Sequence, residues 1–270
     1  MILACHSTRG ALALIWYPID DAAERWHAIS GYEERMKIAA ARPTISEVLA
    51  EYLADEKERV APRTLAKYEN VVELLKRRLN GYAYSGLEKT ERALWEKHFN
   101  ADGVEHREFC DIFGAEHVLP NVGEFLNYFM AHKVVAEVEL LRTSGTVIKK
   151  LARWLAEHGH VAIEDAALAA EQGAEAARDL PAAAKLATLL YDLTAARYAP
   201  RESDIEGRFG ITKVEPRRIW LRDEDDGRDY GEVQLPEAAT ELCRVGWTIS
   251  GTVRQSGSGW RLVEAFGVYP

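Results

Sequence analysis

The chain has 270 residues and a formal net charge of −9, with 34 Lys and Arg against 43 Asp and Glu. Its 47% hydrophobic content is enough for one large or two ordinary cores, and no run approaches the roughly 18 apolar residues of a membrane-spanning helix. Three cysteines, Cys5, Cys110 and Cys243, are odd in number and far apart. They argue against a disulfide framework or a zinc ribbon and for a reducing, cytoplasmic setting.

Residues 1–43 read as an N-terminal extension. Leu3-Ala4-Cys5 resembles a lipoprotein cleavage site, but two preceding residues leave no room for an apolar signal core. The run Ala11–Ile19 is short and contains Pro18, and Met36 is an alternative start. A helix then begins after Thr44, with Thr44 or Ser46 as N-cap and Val48, Leu49, Tyr52 and Leu53 on one face. It ends at Val60-Ala61-Pro62, because the residue before proline avoids the helical region. A second helix opens at Pro62 to Thr64, runs through Leu65, Tyr68, Val71, Val72, Leu75 and Leu79, and stops at Asn80-Gly81. The two form a hairpin.

Tyr82–Phe99 is rich in Tyr and Trp and partly helical; 100–120 reads as irregular apart from Glu105–Phe113, and Val122–His132 as a short apolar element. The stretch Leu140–His158 is the clearest signal in the chain. Leu140, Leu141, Val147, Ile148, Leu151, Trp154 and Leu155 fall within an arc of roughly 140° at helical spacing. Arg142, Lys149, Lys150 and Arg153 fall on the other side, with no acid between Glu139 and Glu157, and Gly159 closes the helix. In an acidic chain this basic face is the one hint of a polyanionic partner, and binding through so local a patch is expected to be weak and salt-sensitive.

Ala162–Ala199 reads as a helical connector that docks on the bundle, with a solvated connector of equal length as the alternative, and splits at Asp179-Leu180-Pro181, with Asp179 capping its second half. After Pro200 the texture changes. Phe209–Thr212, Arg218–Leu221, Val233–Leu235, Trp247–Ser250, Thr252–Arg254 and Trp260–Val263 are β-type runs, with turn signals at Asp226-Gly227 and Ser256–Gly259 and one helical insert at Pro236–Arg244. Five or six short strands with one helix predict a small antiparallel β-barrel or a strongly bent sheet. The expected class is α+β multidomain: extension 1–43, helical bundle of four to five helices 44–161, connector 162–200, small β domain 201–270.

Val60–Leu79 and Thr143–Val161 resemble the first and last parts of the N-terminal core-binding, SAM-like domain of phage integrases and other tyrosine recombinases. There a Pro-x-Thr followed by a Tyr begins the second helix, here Pro62, Thr64 and Tyr68, and the last helix ends in Trp-Leu before a Gly turn. The resemblance covers roughly residues 44–161 and implies a four-helix module that holds one side of duplex DNA through phosphates. Carried onto this chain, the implied DNA-facing residues are Arg63, Thr64 and Lys67 on the second helix and Thr143, Thr146, Lys149, Lys150 and Arg153 on the last; Arg142 joins them from the basic arc. The stretch Tyr82–Pro120 is longer than the family's connection, and the recombinase catalytic domain is missing: residues 162–270 contain no histidine.

The remaining constellations favour plain readings. His98, His106, Cys110 and His117 match no compact zinc spacing. Asp223–Asp226 lacks calcium-loop spacing, and Gly257-Ser258-Gly259 is neither a nucleophile elbow nor a phosphate loop. Trp220, Trp247 and Trp260 read as core rather than as base-stacking surfaces. The expectation is a non-enzymatic, cofactor-free DNA-binding or accessory protein. A protein-interaction adaptor on the same scaffold, or RNA and single-strand binding by the β domain, are the alternatives, and an acid covering the basic arc would favour the adaptor.

Overall fold

A computed structural model describes residues 42–133, 137–195, 199–257 and 259–270. The expectations for Cys5, the Ala11–Ile19 run and the Met36 start lie outside the described residues. Helix α1 (Ile45–Arg59) starts at Thr44, whose hydroxyl accepts from the Glu47 N–H at 3.3 Å while the Glu47 carboxylate accepts from the Thr44 N–H at 2.8 Å. This reciprocal cap satisfies donors that a helix start leaves open. Val60 and Ala61 are extended, and α2 (Pro62–Tyr82) begins on Pro62. The expected stop at Asn80-Gly81 is overrun: α2 continues to Tyr82 and passes into a 3₁₀ turn, Ala83–Gly86.

Helix α3 (Lys89–Phe99) is followed by four short 3₁₀ turns between Gly103 and Asn121. A π-helical segment, Glu124–Lys133, then buries Phe125, Leu126, Phe129 and Met130. Helix α4 (Val138–Glu157) sinks Val147, Ile148, Leu151, Trp154 and Leu155 into a core shared with Ile45, Leu49 and Tyr52 of α1 and Val71, Leu75 and Leu79 of α2.

Helix α5 (Ile163–Ala195) corrects the expected split at Asp179–Pro181. It runs unbroken through Pro181, which is itself buried. Proline removes a helical hydrogen bond and crowds the preceding turn, so something must hold both halves in line. Ala166, Ala169, Ala170, Ala176 and Leu180 belong to the helical core, whereas Ala183, Leu186 and Leu190 belong to a second core. Each half is anchored, and burial on both sides of Pro181 outweighs the missing bond.

The second core is that of a closed barrel of β1 (Ile205–Glu215), β2 (Arg218–Asp223), β3 (Asp229–Gln234), β4 (Thr248–Ser256) and β5 (Gly259–Tyr269), with a short α6 (Glu237–Thr240) between β3 and β4. The order around the barrel is β1-β2-β3-β5-β4; every pairing is antiparallel except β3 with β5, which is parallel. This is the topology of an OB-type barrel. Phe209, Ile211, Ile219, Leu221, Tyr230, Val233, Ile249 and Val253 fill it. The runs Trp247–Ser250 and Thr252–Arg254 prove to be one strand, β4, irregular at Gly251, where the β5 backbone at Glu264 passes so close that no Cβ fits. Residues 43–270 form one compact unit.

Candidate polyanion interface

Helix α4 decides what its cations can do. Besides the expected apolar face, Ser144, Gly145 and Ala152 are buried. A Cβ on Gly145 would run into the α5 backbone at Gly173 and Ala177, and one on Gly173 would lie 2.6 Å from the Lys149 backbone nitrogen. The two helices therefore cross at backbone contact, and α4 is covered on two sides rather than one. Its free sector is a seam through Glu139, Arg142, Thr143, Thr146, Lys149 and Arg153, about 21 Å long at 1.5 Å per residue. Arg142 and Arg153 are exposed; Thr143, Thr146, Lys149 and Lys150 are half-buried. The hydroxyls of Thr143 and Thr146 donate to the carbonyls of Glu139 and Arg142, one turn back.

The nine residues predicted from sequence separate into three groups. At one end, Lys67 of α2 meets the start of α4, where its ammonium pairs with the Glu139 carboxylate, and Arg63 is exposed one turn before it. That hydrogen bond, with the charges of Lys67, Arg63 and Arg142, holds the Glu139 carboxyl below the usual carboxylate range. Thr64 is half-buried in the first turn of α2. In the middle, Lys150 turns the other way. Its ammonium is 2.8 Å from Glu56 of α1, a residue only 3% exposed, and 5.0 Å from the Tyr68 ring centroid. Burial alone would lower the Lys150 pKa; hydrogen bonds to Glu56 and Tyr68 and their charges raise it overall. At the far end, Lys149 and Arg153 line a groove of about 540 Å³ between α4 and α5, with Ala156, Ile163, Ala166 and Glu171. Neither has an ion-pair partner among the described residues.

The sequence reading missed both acids. Glu139 stands three residues before Arg142, a spacing that places it on the same helix face. Its pairing with Lys67, 72 positions away, has no local signal. Glu56 carries none either.

On the barrel, Arg218, Trp220 and Arg222 alternate on the outer side of β2. Trp247 is buried, as expected, but Trp220 and Trp260 are half-exposed. Trp220 is covered by the Lys213 ammonium, 4.4 Å from its ring centroid, and flanked by Arg218 at 5.8 Å. These cations are paired in turn: Lys213 and Arg218 with Glu215, Arg218 with Glu232, Arg222 with Asp229. The face is a neutral lattice, and the Lys213 ammonium sits over the Trp220 indole.

The other constellations stay apart. His106 faces Glu108, His117 faces Glu91, and Cys110 is buried, its thiol pushed up to about 12 by burial. Asp223 accepts from the backbone N–H of Asp225 at 2.8 Å, which shapes the acidic turn. Among the described residues there is no cluster of three or more His, Cys, Asp or Glu arranged to hold a metal, and no helix long and apolar enough to cross a membrane. Comparison of the chain with protein-family models, curated proteins and solved structures finds no match.

Proposed function

We propose that this chain is a non-catalytic DNA-binding or accessory protein that contacts duplex phosphates through the edge formed by the start of α2 and the exposed seam of α4. The observation that carries this reading is the pairing of Lys67 with Glu139 at the start of α4, which brings together two helices distant in sequence, with exposed Arg63 one turn before Lys67 and exposed Arg142 three residues after Glu139. Lys149 and Arg153, further along the seam and without an ion-pair partner among the described residues, extend it. Such contacts position a protein on a duplex without reading bases. With a net charge of −9 behind them, they support weak binding that falls steeply with salt.

Fluorescence anisotropy on a short labelled duplex, titrated from low to physiological salt, tests the reading. Arg63→Ala with Arg142→Ala is expected to weaken binding and to reduce the log–log salt slope by about 2, one unit for each phosphate no longer neutralised. An unchanged slope would place the DNA elsewhere.

A second reading rests on the acids. Glu56 holds Lys150 and so covers part of the basic arc, and Glu139 holds Lys67 on the neighbouring helix. That favours a protein-interaction adaptor on the same scaffold. Absence of binding to duplex and single-stranded nucleic acid at low salt would select it.

A further inference from the structure

Resting on the proposed phosphate contact, we infer that Glu139 is a built-in competitor: its carboxylate occupies the position that a backbone phosphate takes between Lys67, Arg63 and Arg142. Three observations lead there. The Glu139 side chain is 63% exposed, so it is not held among cations by packing; it is there because they are. Arg63 and Lys67 lie in the first and second turns of α2, whose N-terminus has no side-chain cap and no first-turn acid to answer its positive end. Glu139 also belongs to the first turn of α4, one turn from Thr143 and three residues from Arg142, so it shares the free seam along which a phosphate backbone would run. A carboxylate presents an anionic oxygen to an ammonium at the same range as a phosphate, but it brings one charge and two acceptors where a phosphodiester is repeated along a strand. A polyanion that engages Arg142, Lys149 and Arg153 at once can displace a single exposed carboxylate. An isolated small anion cannot do so as readily. Glu139 therefore sets a threshold, favouring extended phosphate backbones over free anions.

The test compares the wild-type protein with Glu139→Gln, which keeps the size and removes the charge, on two probes: a labelled duplex by anisotropy and inorganic phosphate by amide NMR shifts at Arg63, Lys67 and Arg142. Because Glu139 is exposed, the variant is expected to keep the wild-type circular dichroism spectrum and melting temperature. Glu139→Gln should bind duplex about tenfold more tightly at low salt and gain phosphate-induced shifts that the wild type lacks. If the wild type binds duplex and the variant binds it no more tightly, the inference is overturned and the DNA reading stands. If neither binds duplex but the variant alone responds to phosphate, the anion site stands and the DNA reading falls. If the variant gains neither, the site is refuted.

Discussion

Tyr52 sits in the middle of the helical core with 0% exposure, its ring edge-on to Trp154 at 5.7 Å, and its hydroxyl has no hydrogen-bond partner among the described residues. Burial and the charge of Glu56 raise its pKa, so the hydroxyl stays neutral. A buried donor left unsatisfied costs about 1–3 kcal/mol. Tyr52→Phe is therefore expected to be neutral or to stabilise by about 1 kcal/mol in urea unfolding; a destabilisation as large as that gain would mean that the hydroxyl has a partner. The opposite case is Asp204, where hydrogen bonds from Arg254 pull the carboxyl down to about 2, against burial. A folded value below the unfolded one of about 3.9 gives stability that is present above about pH 4 and lost as pH falls toward 2. Acid titration of stability should show a shallower loss across that window in Asp204→Asn than in the wild type, and equal slopes would dismiss the pair as a contributor.

At the scale of elements, the crossing of α4 and α5 explains why the connector is so rich in alanine. Gly145 and Gly173 face one another at backbone contact, and Ala166, Ala169, Ala170 and Ala176 are buried alongside. Larger side chains would force the helices apart and release Lys149 and Arg153 from their groove. Gly173→Leu is expected to cost about 2–3 kcal/mol, the upper part of the overpacking range, as read by chemical denaturation. Gly81→Ala, where an added methyl meets nothing within 4 Å, is the matched control and should be tolerated. The apolar stripe of α4 was legible because a period near 3.6 needs only local sequence. Its second buried side was not: Gly145 and Ala152 are too small to register as core, and Gly145 is core because the α5 backbone arrives there.

For the whole molecule, α5 is the shared part. One helix supplies Ala169 and Leu180 to the helical core and Leu186 and Leu190, both fully buried, to the barrel. The two cores are thus expected to unfold together, with tryptophan fluorescence and far-ultraviolet circular dichroism giving coincident transitions. Two separated transitions would show that α5 does not couple them. Residues 201–270 alone should expose the surface that Leu186 and Leu190 cover and should fail to give a cooperative melt.

The amino-acid sequence by itself determined the succession of helices and then strands, the caps at Thr44 and Gly159, the turns at Gly227 and Gly257, and most core positions. Those are set by periodicity and by backbone chemistry within a few residues. Tertiary structure decided what local pattern could not carry: that Pro181 does not end its helix, because two cores hold it; that the strands close through a parallel β3–β5 contact; and which cations remain available. Six basic side chains looked alike along the sequence. Folding brought Glu56 to Lys150 and Glu139 to Lys67, across 94 and 72 positions, and left Arg63, Arg142, Lys149 and Arg153 without a close ion pair among the described residues. Charge pairing depends on distance in space, and that distance is fixed by packing.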